Sequence, residues 1–348
     1  MAEAVPLTGE RLADLTTLRL GGPARRLVRV RSERELLDAV RTADAEGTPL
    51  LLVAGGSNLV VGDDGFDGTV VHVETSGVDI SADTCGGAVV TVAAGENWDA
   101  LVARAVDRGW VGIEALSGIP GSVGATPIQN VGAYGQEVSD TLASVRTWDR
   151  AEGAQRTFAA ADCGFGYRTS RFKREPGRYV VLAVTFQFRL GELSEQVRYA
   201  ELSRVLGIEI GERALTSEVR EAVLRLRGGK GMVLDEEDRD TWSAGSFFTN
   251  PVLDPAAADA LPDDAPRWTQ PDGRVKTSAA WLIEHAGFGK GYGVGPAQVS
   301  GKHTLALTNR GGASTRDLLA LALEVRDGVE QRFGIRLVPE PVLVGCGL

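Results

Sequence analysis

Residues 118–135 read Gly118-Ile119-Pro120-Gly121-Ser122-Val123-Gly124-Ala125-Thr126-Pro127-Ile128-Gln129-Asn130-Val131-Gly132-Ala133-Tyr134-Gly135. Five glycines and two prolines in eighteen residues bar a regular helix or central strand, and they let main-chain N–H groups approach a ligand that side chains would hold off. Such amide nests favour anions, phosphates above all. A plain surface loop is the alternative. Against it, Ile119, Val123, Ile128 and Val131 are too apolar for a solvated tip, and Gln129-Asn130 is too polar for a core. The stretch reads as a ligand-facing loop.

A second glycine turn lies upstream, in Leu50-Leu51-Leu52-Val53-Ala54-Gly55-Gly56-Ser57-Asn58-Leu59-Val60-Val61. One apolar run of strand length enters it and another leaves it. Gly55 and Gly56 can take positive φ, so successive amides and the Ser57 and Asn58 side chains can converge on a pyrophosphate; Gly-Gly-Ser-Asn equally suits a simple turn. No G-x-G-x-x-G occurs in the chain, which argues against the usual Rossmann site. A dinucleotide bound here needs another fold.

The 348 residues are enough for two or three compact domains, and 43% hydrophobic content is that of a water-soluble globular protein. No run approaches the length of a membrane helix. Met1-Ala2-Glu3-Ala4-Val5-Pro6 lacks the basic and apolar regions of a secretory signal, so a cytoplasmic location is expected. The net charge is −10 with scattered Lys and Arg, which makes a nucleic-acid partner unexpected. Cys85, Cys163 and Cys346 are odd in number and far apart, read most simply as small hydrophobes. His72, His285 and His303 show no ligand spacing, so no metal is expected.

Residues 26–30 and 49–53 read as strands around a helix opened by a capping box, Ser32 and Glu35, and stopped before Gly47: a small βαβ unit. Further strands are expected at 69–73 and 89–93, and a helix from about Asn97 to Arg108. Residues 141–148 and 179–188 alternate as half-buried antiparallel strands do. A helix is expected around 217–227, a solvated acidic loop at Asp235-Glu236-Glu237-Asp238, and either a surface excursion or a loosely ordered connection at 254–275. Then follow a helix at 279–286, a strand at 304–308, a long helix opened by Ser314 and Asp317 and closed before Gly334, and short strands near 335–338 and 341–344.

Three shorter motifs carry chemistry: Phe165-Gly166-Tyr167-Arg168, Ala244-Gly245-Ser246-Phe247-Phe248-Thr249-Asn250-Pro251, and Val338-Pro339-Glu340-Pro341. Taken alone, Arg168 reads as a surface arginine and Ser246 as a helix cap, while Glu340 between two prolines has a fixed backbone suited to a positioned carboxylate. Together with the glycine loops these motifs closely resemble the UDP-N-acetylenolpyruvoylglucosamine reductase (MurB) family of flavoenzymes, nearly end to end. The most specific pieces are Ala54–Asn58, Gly118–Gly135, Gly164–Lys173, Gly245–Pro251, Lys290-Gly291 and Pro339-Glu340.

The resemblance implies an α+β chain: an FAD-binding fold of the vanillyl-alcohol-oxidase type in two subdomains, 1–75 and 76–205, and a C-terminal α+β substrate domain, 206–348. It implies non-covalent FAD reduced by NADPH, hydride delivery to C3 of UDP-N-acetylglucosamine enolpyruvate, and a proton at C2, in peptidoglycan synthesis. Arg168 then clamps the substrate carboxylate, Ser246 donates the proton, and Glu340 polarises and orients the enol. FAD contacts fall to Ala54, Gly55, Gly56, Ser57 and Asn58, and to Gly118, Ile119, Pro120, Gly121, Ser122, Gly124, Ala125, Gln129, Asn130, Gly132 and Ala133. Valine at Gly56 or Gly121 is expected to clash with the flavin diphosphate and leave folded, colourless protein.

Substrate contacts fall to Tyr134, Tyr167, Tyr199, Lys230, Asn250, Trp268, Lys290 and His303. Trp268 stands where the family often has tyrosine and His303 where glutamine is common, departures that touch the uracil and nicotinamide contacts and not the chemistry. A monomer without membrane insertion is expected. The alternative on the same fold is an FAD-dependent oxidase acting on another substrate; many such enzymes hold flavin through a histidine or cysteine, and residues 50–62 and 112–135 contain neither.

Overall fold

The computed structural model describes residues 10–83 and 86–348, so Cys85 and the first nine residues lie outside the account that follows. The chain forms two compact units, each assembled from separated segments. Among the described residues, one holds 26–55 and 67–229; the other holds 10–25, 56–66 and 230–348.

In the first unit, a mostly antiparallel sheet runs in the order Ala154–Ala159, Leu142–Asp149, Tyr179–Leu190, Gly87–Ala93, Val78–Asp83, with Trp110–Val111 paired to the far end of Tyr179–Leu190. Tyr179–Leu190 is half-buried, as its alternation suggests, only in its second half, where Phe186 and Phe188 are buried and Gln187 and Arg189 exposed. Val184, Phe186 and Phe188 pack on one core with Trp98, Leu101 and Val102, while Val180 and Leu182 pack on another with Leu36, Leu37 and Val40. Over Val180–Val184 the strand is covered on both sides, so both of its faces are apolar there. Trp98 and Leu101 come from the helix Trp98–Asp107, expected from about Asn97 to Arg108, which Asn97 caps.

Leu36, Leu37 and Val40 line the helix Glu33–Glu46, where the Ser32/Glu35 capping box forms and Gly47 closes the helix in the left-handed conformation. The expected βαβ unit is altered in one respect: Phe66–Val73 inserts between Ala24–Val30 and Leu50–Val53, and pairs parallel with the latter. The helices Ala200–Leu206 and Thr216–Gly229 close a smaller core around Val197, Leu202 and Val219.

Backbone and side-chain bonds between distant residues hold the second unit together. The strand Val342–Val344 pairs parallel with Leu59–Val61. Thr17 Oγ1 donates to the Ser243 carbonyl at 2.6 Å, and Asn309 Nδ2 donates to the Leu18 carbonyl at 3.1 Å. The long helix Thr315–Phe333 starts with a Ser314/Asp317 capping box, and its first amides at Thr315 and Arg316 also donate to the Asp63 carboxylate. A carboxylate suits the positive end of a helix.

Of the two readings of residues 254–275, the loosely ordered connection gives way: a short helix Pro255–Asp259 precedes Arg267–Thr269, which joins Val275–Thr277 and Val252–Leu253 in a three-stranded sheet, and most of the segment is exposed as in a surface excursion. Residues 335–338 form no regular strand, although Thr249 N–H donates to the Val338 carbonyl.

Gly328 in the long helix sits against Phe288, and a methyl group there would stand 2.4 Å from the Phe288 ring. Gly328→Ala should therefore destabilise the protein by about 1–3 kcal/mol through overpacking, despite the gain of up to about 1 kcal/mol in helix propensity. Urea unfolding measures this; a stabilised variant would show that the ring can move aside.

Candidate active site

In the first unit the two glycine turns touch backbone to backbone. A methyl group on Gly55 would stand 2.6 Å from the Gly121 Cα, so no side chain separates them. Gly118 and Gly121 both have positive φ. The Gly121 carbonyl accepts from Trp98 N–H, which joins the loop to the start of the helix Trp98–Asp107. Two abutting turns free of Cβ atoms fit a diphosphate held by main-chain amides, as FAD requires.

Gly56 belongs to the second unit and is constrained by the chain itself: at φ 56°, a Cβ would lie 1.8 Å from the Leu15 carbonyl oxygen. The expectation that Gly56→Val stays folded while losing flavin is therefore revised. The clash comes first from the protein.

The start of the long loop is held by Asp99. Its carboxylate accepts from Gly118 N–H at 2.6 Å and from Arg220 through two bonds of 2.7 and 3.0 Å. Burial works against ionisation of Asp99, yet Arg220 and the Gly118 amide hold its pKa below the ordinary value. Further along, Asn130 Nδ2 donates to Glu137 Oε2 at 2.6 Å and Asn130 Oδ1 accepts from Ser139 N–H at 3.0 Å. Val123–Ala125 forms one turn of 3-10 helix, and Gly132–Ala133 pairs with Gln136–Glu137. The loop is thus a held structure.

Arg168 lies at the tip of a tight turn in which Gly166 and Thr169 exchange backbone bonds. Its Nη2 donates to the Gly132 carbonyl at 2.9 Å, its guanidinium lies 5.7 Å from the Tyr167 ring centre, and Lys173 Nζ donates to its carbonyl at 3.1 Å. Arg168, Asn130 and Tyr134 are three of the four non-glycine residues with positive φ among the described residues. That conformation costs on the order of 1–3 kcal/mol each and collects at functional sites.

Tyr134 meets Tyr199 edge-on at 5.3 Å, with Tyr199 just before the helix Ala200–Leu206. Burial pushes the Tyr134 hydroxyl up to about 12, against the opposing pull of Arg227. Burial likewise pulls the Arg227 guanidinium down to about 10, against the attraction of Tyr134 and Asp99. Neither Asp99 nor Arg227 stands out in the sequence, since each takes its place from partners far along the chain.

In the second unit, backbone pairing gathers three motifs far apart in sequence. Glu340 N–H donates to the Phe247 carbonyl at 2.8 Å, Phe248 pairs with Pro339, and Val342 N–H donates to the Asn58 carbonyl at 2.9 Å. Asn58 Nδ2 reaches the Glu340 carbonyl at 3.5 Å. Ser246, half-buried, pairs with Ala306, and Phe247 N–H donates to the Leu305 carbonyl at 2.7 Å. Ser246 caps no helix.

Asn250 Oδ1 accepts from Ala279 N–H at 2.9 Å, so it has a structural task at the helix Ala279–His285. Trp268 is 48% exposed, with Lys276 Nζ 5.9 Å from its ring centre. Lys290 is exposed, Lys230 is half-buried, and His303 Nδ1 accepts from Leu305 N–H at 3.3 Å. Cys163 is buried, and burial pushes its thiol up to about 11, as suits a small hydrophobe. Among the described residues no group of three or more His, Cys, Asp or Glu is placed to hold a metal, and no helix is long and apolar enough to cross a membrane.

Residues 24–159 match a family model described as an FAD binding domain, which makes this chain a flavoprotein of the α+β fold expected above. Residues 236–344 match the C-terminal domain of UDP-N-acetylenolpyruvoylglucosamine reductase. The reductase of Cutibacterium acnes is 62% identical over 96% of this chain and 89% of its own length, and that of Streptomyces coelicolor is 57% identical over 97% and 90%. The crystal structure of the Thermus caldophilus enzyme superposes with a TM-score of 0.64 at 26% identity, covering 96% of this chain and 97% of that one. The chain belongs to the UDP-N-acetylenolpyruvoylglucosamine reductase family. It is an FAD-dependent oxidoreductase of peptidoglycan synthesis, with NADPH as co-substrate.

Two outcomes test the geometry. Gly55→Ala should push Gly121 aside and lower retained FAD at least tenfold while the far-ultraviolet spectrum stays native; full flavin occupancy would show that the contact does not shape the cofactor site. The Tyr134 hydroxyl has its folded pKa raised above the ordinary 10, so the stability it contributes is present below pH 10 and lost as pH rises through about 12. Tyr134→Phe should remove that part of the alkaline loss of stability, read from thermal unfolding between pH 9 and about 12.

Proposed function

We propose that the chain reduces the enolpyruvyl group of UDP-N-acetylglucosamine enolpyruvate through Arg168, Ser246 and Glu340, with FAD held non-covalently. The bound flavin supplies the hydride that NADPH provides, directed to C3 of the substrate. Arg168 pairs with the enolpyruvyl carboxylate, where a planar guanidinium forms two parallel bonds and balances the charge that grows there in the transition state. Ser246 Oγ gives its proton to C2. A hydroxyl is a weak acid in water but sufficient against a strongly basic carbon when positioned. Glu340 orients the enol.

The observation that carries the reading is the backbone ladder in which Glu340 bonds to Phe247, the residue after Ser246, and Val342 bonds to Asn58. Pairing of this kind places two side chains of complementary proton chemistry on rigid main chain, as acid–base catalysis requires. The positive φ of Arg168 and its bond to the Gly132 carbonyl support its role as a held clamp. Among the residues assigned to FAD, those of 118–133 lie in the braced loop described above and those of 54–58 in the turn that abuts it. Neither 50–62 nor 112–135 offers a histidine or cysteine for a covalent link.

For the substrate, Tyr134, Tyr167 and Tyr199 provide aromatic surface, Lys230 and Lys290 provide cations for the diphosphate, and Asn250, Trp268 and His303 serve the nucleoside and nicotinamide ends. In this reading residues 1–75 and 76–205 are the FAD-binding subdomains and 206–348 the substrate domain. The working form is a cytoplasmic monomer that draws every assigned residue from one chain.

The test separates the two half-reactions. Ser246→Ala should keep anaerobic bleaching of the flavin by NADPH, since that step needs no acid. Reoxidation by the enolpyruvyl substrate should slow by ~10² to 10⁴, the usual contribution of a positioned general acid, or roughly 3–5 kcal/mol of barrier. Stopped-flow absorbance in the flavin band reads both, and wild-type reoxidation would remove Ser246 from the mechanism.

A further inference from the structure

The acidic stretch read as solvated is in part built into the second unit. Asp238 takes the Lys302 ammonium, a hydrogen bond that holds its carboxyl below the usual carboxylate range. The adjoining Asp240 sits in the 3-10 turn Arg239–Thr241 with its side chain 13% exposed. Its Oδ1 accepts three bonds: from Ser300 Oγ at 2.9 Å, Gly301 N–H at 2.8 Å and Arg310 Nη1 at 2.8 Å.

Ser300 is fully buried, and its hydroxyl is saturated. It donates to Asp240 and accepts from Lys302 N–H at 3.0 Å and His303 N–H at 3.2 Å. One hydroxyl has a single proton and two lone pairs, so no further direct hydrogen bond is open to it.

From Ser300 the constraint runs along main chain. Ser300 N–H donates to the Ala306 carbonyl at 2.8 Å, Ala306 pairs with Ser246, and Phe247 N–H donates to the Leu305 carbonyl. Gly291 N–H, next to Lys290, donates to the Val299 and Ser300 carbonyls, each at 3.2 Å. A single buried carboxylate thus sets a turn that reaches Ser246, His303 and Lys290 through at most a few bonds.

We propose that Asp240 and Ser300 are positioning residues for the protonation step: Asp240 fixes the Ser300 hydroxyl, which fixes the turn 300–303, and the Leu305–Ala306 backbone then sets where Ser246 Oγ points. The proposal rests on the reading of Ser246 as proton donor. Neither residue is assigned contact with substrate or flavin. A small displacement of a reacting group is enough to cost about 10²-fold, so loss of the hub is felt at Ser246 without loss of the fold.

The experiment is a double-mutant cycle on the flavin-loaded enzyme. Asp240→Ala should leave the limiting rate of flavin reduction at saturating NADPH within about two-fold of wild type, and slow the limiting rate of reoxidation at saturating substrate by ~10 to 10². Asp240→Asn keeps the oxygen acceptor and should recover most of that loss. In the Ser246→Ala background, Asp240→Ala should add less than about two-fold, because the group it positions is gone.

Equal slowing of both half-reactions, or a full multiplicative effect on top of Ser246→Ala, would overturn the proposal. If Asp240→Ala does not accumulate with flavin, Ser300→Ala, the removal of one oxygen, carries the same cycle. Ser246→Ala reoxidising at the wild-type rate would sink the donor reading, whereas a defective Ser246→Ala beside normal Asp240→Ala and Ser300→Ala would sink the hub alone.

Discussion

The contact between Gly55 and Gly121 is the constraint on which the cofactor half of the structure turns. Two segments far apart in sequence meet with bare main chain on both sides, a separation that any Cβ at Gly55 would break. Because side chains are excluded there, polar main-chain groups are what the turns can offer a ligand. Crowded amides prefer an anion to water when the anion is a phosphate of fixed spacing. The bonds around this contact supply rigidity: Asp99 ties Gly118 to Arg220, and Trp98 N–H ties Gly121 to a helix whose tryptophan is buried in the largest core of that unit.

The other unit solves a different problem. The site residues proposed there are Asn58, Ser246 and Glu340, and nothing local in the chain could bring them together. Main-chain pairing does so, with Val342–Val344 on Leu59–Val61 and Glu340 on Phe247. The prolines on either side of Glu340 limit its backbone freedom before any partner arrives, which lowers the entropy cost of holding the carboxylate in place. Buried side-chain bonds such as Thr17 to Ser243 and Thr315 to Val61 then hold the separated segments to one another.

Charge is used locally throughout. The chain carries a net charge of −10, yet Arg227 in the first unit lies close enough to Tyr134 and Asp99 to be drawn to both. Burial pulls Arg227 down and pushes Tyr134 up, while Tyr199, which meets Tyr134 edge-on, stays exposed to water.

Much of this was readable from residues alone, wherever the cause is local. Capping at Ser32 and Ser314 and helix closure at Gly47 and Gly334 depend on a few neighbouring residues, and each is found as expected. The catalytic and cofactor assignments came from motif order, a resemblance that no propensity could replace. Four features were out of reach. Phe66–Val73 inserts between two strands that sequence order had made neighbours. The first half of Tyr179–Leu190 is covered on both faces. Gly56 is required by Leu15 before any ligand is considered. Asp240, placed beside an acidic loop, is the acceptor for Ser300, Gly301 and Arg310. Each depends on a partner tens to hundreds of residues away. Local preference acts over a turn of chain and is written in sequence, whereas which surfaces meet, and so which polar groups must find one another out of water, is decided when the chain packs.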